Sequence, residues 1–308
     1  MDYALFVAGL ATLLWSGDRL VASAAAIARS VGMSPLVIGV VVVGLGTSLP
    51  ELFASVDAAI RNSPGLAIGN VVGSNIANIL VVLGLSALFV PVKCRPEDMR
   101  RDLPGLLAAC LLVLVASQQE IIGRGMGLLL TAGLVAYLVL LLRRPRGVVP
   151  EETVSTEPGQ TRLAVSAAWA AVSLVLLVAG AHWLISGALG IAERHGLSDS
   201  LVGLTLVAVG TSLPELAVAA AAIIRRHADI AIGNIIGSTL FNLLGVLGIT
   251  ALVRPLAVPL EVATFDIWVM TLAVLALALF ARTGWRISRG ESALLLLGYP
   301  VYLTLLTR

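Results

Sequence analysis

The chain has 308 residues, 58% of them hydrophobic and only 12% charged, and a mean hydropathy of +1.00. Soluble domains carry about 25% charged residues, so this composition excludes a soluble globular protein and leaves no room for a soluble catalytic domain. The net charge of +2 arises from nearly balanced Lys+Arg and Asp+Glu, which argues against nucleic acid as a partner; the partner that composition demands is the lipid bilayer.

Apolar runs of roughly 20 residues can cross a hydrocarbon core of about 30 Å. Read against their charged and Pro/Gly breaks, they predict ten spans: 3–27, 35–60, 66–89, 103–118, 121–142, 164–191, 200–224, 230–252, 262–281 and 291–306. The first run lacks a basic leader, because Met1-Asp2-Tyr3 runs straight into it, and it exceeds a signal-peptide core, so it reads as a span. Between the fifth and sixth spans lies RRPRGVVPEETVSTEPGQTR (143–162), a polar tether with no room for a folded domain. Cys94 and Cys110 form neither a metal-type spacing nor a disulfide framework.

Lys and Arg accumulate in cytoplasmic loops of membrane proteins, and here the alternate loops divide 14 against 5. The richer set contains Arg29, Lys93, Arg95, Arg100, Arg101, the arginines of the 143–162 linker, Arg225, Arg226, Arg282, Arg286 and Arg289. The poorer set holds Arg61, Arg124, Arg194, Arg254 and Arg308. This asymmetry predicts a cytoplasmic linker and both termini outside.

The segment GTSLPEL occurs at 46–52 and again at 210–216. The same offset of 164 residues aligns AIGNVVGSNIANILVVLG (67–84) with AIGNIIGSTLFNLLGVLG (231–248), and about half of the positions from Gly46 to Gly84 match their partners. The chain is therefore a duplicated five-span unit, 1–142 and 163–308. Five is odd, so the second copy must enter the membrane from the opposite side. The expected fold is an all-α polytopic membrane protein of about ten helices in two inverted repeats, the plan of alternating-access transporters with a substrate site near the midplane.

Polar residues inside the repeated spans mark that site. Glu51 and Glu215 are carboxylates at matching depths with no Lys or Arg nearby in their own spans. Each costs about 2.5–3.5 kcal/mol on insertion scales, a cost that a bound cation offsets. Pro50 and Pro214 lack a backbone donor and crowd the carbonyl four residues earlier, so oxygens near Gly46 and Gly210 are expected to be freed for a ligand. Thr47, one helical turn from Glu51, and Thr211 in the copy can face the same spot; Ser48 and Ser212 are adjacent. The third span adds Asn70, Ser74 and Asn78 at four-residue spacing, and the eighth repeats them as Asn234, Ser238 and Asn242, a polar stripe of neutral oxygen ligands or of polar contacts between helices. Gly69 with Gly73, and Gly233 with Gly237, predict close helix approach. Two carboxylates neutralise one divalent or two monovalent cations. An all-oxygen donor set favours calcium or sodium over zinc or copper, and its flexibility suits calcium better than magnesium.

These blocks, GTSLPE with GNVVGSNIANIL and GTSLPE with GNIIGSTLFNLL, closely resemble the two alpha repeats of the calcium:cation antiporter superfamily, the sodium/calcium exchangers of prokaryotic type. The resemblance implies a secondary antiporter in a prokaryotic plasma membrane, with no cofactor; calcium and a counter-ion, sodium first, bind as substrates. It makes Glu51 and Glu215 the central calcium ligands, joined by Thr47 and Thr211. Sodium sites would share these residues with Ser48, Ser74, Asn78, Ser212 and Ser238 and with backbone carbonyls near Gly44 and Ala208. Asn242 departs from the acidic residue often found there, which leaves proton- or potassium-coupled exchange as alternatives. A channel or an intramembrane hydrolase are other classes; the hydrolase lacks a His or Lys base at the centre.

Overall fold

The structure is a computed structural model that describes residues 1–143, 159–194 and 210–306. Ten helices occupy them: α1 (Asp2–Val31), α2 (Pro35–Ile60), α3 (Pro64–Phe89), α4 (Pro96–Ser117), α5 (Arg124–Leu142), α6 (Gly159–Arg194), α7 (Leu213–Ile224), α8 (Ala228–Val253), α9 (Val262–Arg282) and α10 (Arg289–Leu306). Each corresponds to one expected span, and seven are long and apolar enough to cross a membrane by length and composition.

Several boundaries differ from expectation: α1 runs on to Val31, and α6 begins at Gly159, inside the expected 143–162 linker. Helix α4 begins at Pro96 rather than near 103, because Pro96 suits a first helical position and Glu97 and Asp98 suit the first turn; hydropathy is blind to such a polar start. Ile121 and Ile122, expected to open the fifth span, form instead a short strand β2 (Ile121–Ile122) paired with β3 (Leu256–Ala257). A matching ladder joins β1 (Val92–Lys93) to β4 (Arg286–Ile287). Both ladders are antiparallel, both bury one apolar pair, Val92 with Ile287 and Ile122 with Leu256, and each ties one copy of the repeat to the other.

The repeat relation exchanges the two ladders, because β1 corresponds to β3 and β2 to β4. They lie at opposite ends of α4, as an inverted pair requires. Loop contacts obey the same division. Lys93 faces Arg286, Arg289 donates to the Phe89 carbonyl and Arg95 pairs with Asp229 on one face. On the other, Arg254 reaches the Ile60 carbonyl, Arg124 the Leu252 carbonyl, and Arg194 pairs with Asp2.

Helices α2, α3, α7 and α8 form the centre. In the most apolar 18-residue stretch of each helix, 89% of α8 and 78% of α3 are buried, against 22% for α5 and α6; α5 and α6 are therefore peripheral and expose their side chains to the surroundings. A duplicated tie braces the last two helices of each copy: Tyr137 of α5 donates to Asp102 of α4 at 3.2 Å, and Tyr302 of α10 donates to Asp266 of α9 at 3.0 Å.

Candidate ion-binding site

Neither GTSLPE helix is continuous. Helix α2 widens to a π-type turn at Gly39–Gly44, leaves helical geometry at Ser48 (φ −89°, ψ 7°) and restarts at Leu49 with Pro50 in its first turn. In the second copy Ser212 adopts φ −91°, ψ 7° and α7 starts at Leu213. The break therefore falls two residues before each proline, and each glutamate sits in the first turn of a helix, where the dipole favours negative charge. The carbonyl that serves the centre is Gly44's: it accepts from Ser238 Oγ at 3.1 Å, and Thr47 Oγ1 lies 3.4 Å from it. Gly44 is one of the two positions whose carbonyls are expected to serve an ion. Ala208, its partner by the repeat, lies outside the described residues.

Glycine sets how closely the copies meet. A Cβ on Gly237 would lie 2.7 Å from the Val40 carbonyl oxygen, one on Gly233 2.5 Å from that of Leu36, and one on Gly44 2.8 Å from the Ser238 nitrogen. Only glycine permits backbones this near. The expected approach thus occurs at Gly233 and Gly237, whereas a Cβ on Gly69 or Gly73 would meet no heavy atom within 4 Å among the described residues.

The close contact brings groups of the two copies together. Thr47 Oγ1 donates to Asn234 Oδ1 at 3.3 Å and lies 3.3 Å from Ser238 Oγ, and Ser48 Oγ donates to Glu215 Oε1 at 3.2 Å. The Glu215 carboxylate thus lies among the hydroxyls of Thr47, Ser48 and Ser238. Spacing along one helix pairs Thr47 with Glu51; the structure adds the contacts of Thr47 with Asn234 and Ser238 of the other copy.

Glu51, Glu215, Ser74, Ser212, Asn78 and Asn242 are all buried, and each retains polar atoms without a hydrogen-bond partner among the described residues. Both carboxylate oxygens of Glu51, Oε2 of Glu215 and the amide groups of Asn78 and Asn242 are in this condition. Thr211 is half-buried. Buried polar atoms are rarely left unpaired, and an anionic carboxylate so placed requires a counter-charge. Among the described residues no Lys or Arg forms an ion pair with either glutamate, and no cluster of three or more His, Cys, Asp or Glu exists for a softer metal. A hard cation fits this donor set. Sequence periodicity missed the π-type turns at Asn78–Leu83 and Phe241–Val246, which contain Asn78 and Asn242; π-turns often occur at functional sites.

The family profile described as "Sodium/calcium exchanger protein" matches residues 1–143 and 165–308. The chain belongs to this family. Its members are transporters, not enzymes. It is 39% identical to "Putative antiporter CaxA" of Alkalimonas amylolytica over 306 residues, covering 97% of this chain and 96% of that one. It is 33% identical to "Sodium/calcium exchanger MaX1" of Methanosarcina acetivorans over 344 residues, covering 99% and 98%. The solved structure of the sodium-calcium exchanger NCX_Mj soaked with zero Na+ and Ca2+ superposes with a TM-score of 0.86 at 31% identity, covering 99% of this chain and 98% of that one. In 10 mM Na+ and 10 mM Sr2+ the same exchanger gives a TM-score of 0.85 over 98% and 97%. The all-helical membrane fold expected from the duplicated spans is the fold of this family member.

Proposed function

We propose that this family member moves calcium across the membrane in exchange for sodium, by alternating access to one site between the two repeats. The observation that carries this reading is the duplicated buried pair Glu51 and Glu215, with unpartnered carboxylate oxygens among oxygen donors from both copies. Two carboxylates balance one calcium ion or two sodium ions, so the site can hand one cargo over for the other without burying net charge. Thr47, Thr211, Ser48, Ser212, Ser74, Ser238, Asn78 and Asn242 supply neutral oxygens, with backbone carbonyls at Gly44 and Ala208. The exchangers among its relatives support the pairing of ions.

The two units are residues 1–142 and 163–308, joined by a 143–162 linker in the cytoplasm. The 14-to-5 division of basic residues, and the grouping of Lys93, Arg286 and Arg289 on one face, support this orientation, with both termini outside. The membrane is the plasma membrane of a prokaryote, in keeping with the prokaryotic relatives.

Calcium uptake into proteoliposomes preloaded with sodium, potassium or neither, at controlled pH on each side, tests the proposal. Uptake driven by internal sodium is expected. Uptake driven only by potassium or by a proton gradient would assign a different counter-ion, and flux independent of any opposing gradient would make the protein a channel.

A further inference from the structure

The stripes on α3 and α8 look uniform in sequence, yet their members do different things. Asn78 and Asn242 leave their amide groups unpartnered among the described residues. Asn70 Nδ2 instead donates to the Glu51 carbonyl oxygen at 3.1 Å and to Ser55 Oγ at 2.9 Å, and Ser55 Oγ donates to the Ala67 carbonyl at 3.3 Å. In the other copy Asn234 Nδ2 donates to the Glu215 carbonyl at 3.4 Å, while its Oδ1 accepts from Thr47.

We infer that Asn70 and Asn234 are positioning residues, each fixing the main chain of the ion-binding glutamate in its own repeat rather than ligating an ion. The helical segments that carry Glu51 and Glu215 begin at Leu49 and Leu213, after non-helical Ser48 and Ser212, so the backbone just before each does not fix it by helical continuity. An amide N–H bonded to the carbonyl of the glutamate itself anchors that residue at its backbone, leaving only the side chain to adjust. The surroundings differ between the copies, since Ser55 corresponds to Ala219. The asparagine-to-glutamate bond is what both retain. An amide is required: aspartate at position 70 or 234 would set an acceptor against an acceptor.

The inference rests on the reading that Glu51 and Glu215 bind calcium. The test is equilibrium calcium binding to the purified full chain in detergent, together with its melting temperature without added ions, for Asn70→Ala, Asn70→Asp, Asn234→Ala and Asn234→Asp. The parent and Glu51→Gln are the controls. Affinity should fall by about tenfold or more in the Ala and Asp variants alike, with ion-free melting within about 5 °C of the parent. Parent-like or tighter binding in the Asp variants would show an ion ligand and overturn the inference. So would parent-like binding in the Ala variants, or a loss of affinity matched by loss of ion-free stability. If these variants do not fold, Ser55→Ala decides: it removes one acceptor of Asn70, and should weaken binding about two- to threefold, with unchanged affinity counting against the inference. A parent that binds no calcium, or a Glu51→Gln variant that binds as the parent does, would instead overturn the reading of the site.

Discussion

Ser48 and Glu215 stand 167 residues apart, on opposite copies of the repeat, and Ser48 Oγ donates to Glu215 Oε1 at 3.2 Å. With Thr47 and Ser238 it forms a polar contact that neither five-helix unit can make alone. The proposed site therefore depends on how the copies are docked, and docking depends on the glycines between α2 and α8.

Glu51→Gln and Glu215→Gln should each abolish calcium transport while leaving a folded protein. Either change leaves one negative charge opposite a divalent ion. Calcium uptake and thermal unfolding of each purified variant check this, and the two halves should suffer alike.

Gly237→Ala should sharply reduce transport and lower stability by about 1–3 kcal/mol, because its Cβ would stand 2.7 Å from the Val40 carbonyl oxygen. That atom is helix backbone and cannot rotate aside, so α2 and α8 must separate and draw Thr47 away from Asn234 and Ser238. Gly125→Ala, where a Cβ meets no heavy atom within 4 Å among the described residues, is the control. Flux and denaturant midpoints compare the two.

Cysteines placed in the 143–162 linker should react with a membrane-impermeant maleimide only from the cytoplasm, and cysteines near Asp199 or Pro259 only from outside. The native thiols should stay silent. Both are buried, and burial pushes the Cys94 thiol up to about 12, so little of the reactive thiolate exists near neutral pH. Labelling of both regions from one side would contradict the inverted arrangement.

Apparent calcium affinity should weaken as pH falls across about 8 to 5, because protons and calcium compete for the same carboxylate oxygens. Protonation removes the charge that holds the ion, so the sign is fixed: more acid, weaker binding. Asn78 and Asn242 do not titrate, so the competing protons are assigned to Glu51 and Glu215. Equilibrium calcium binding in detergent over this range measures it.

Much of this architecture is legible in the chain itself. Hydropathy counts the spans because a bilayer imposes their length, and the repeat of GTSLPEL at an offset of 164 residues makes each unit five spans long, so inversion follows from an odd number. Unpaired glutamates in apolar spans point to a cation because charge in hydrocarbon is costly. Spacing along a helix, however, reports only which residues share a face. It pairs Thr47 with Glu51 but cannot show that Thr47 also meets Asn234 and Ser238 of the other copy. It set Asn70 beside Asn78 in one stripe, whereas only Asn70 spends its amide on the Glu51 carbonyl. The paired ladders and the Asp102–Tyr137 and Asp266–Tyr302 ties escaped it altogether. A helix break and the direction of a hydrogen bond depend on what the opposite helix offers, and that is decided only when the two copies pack together.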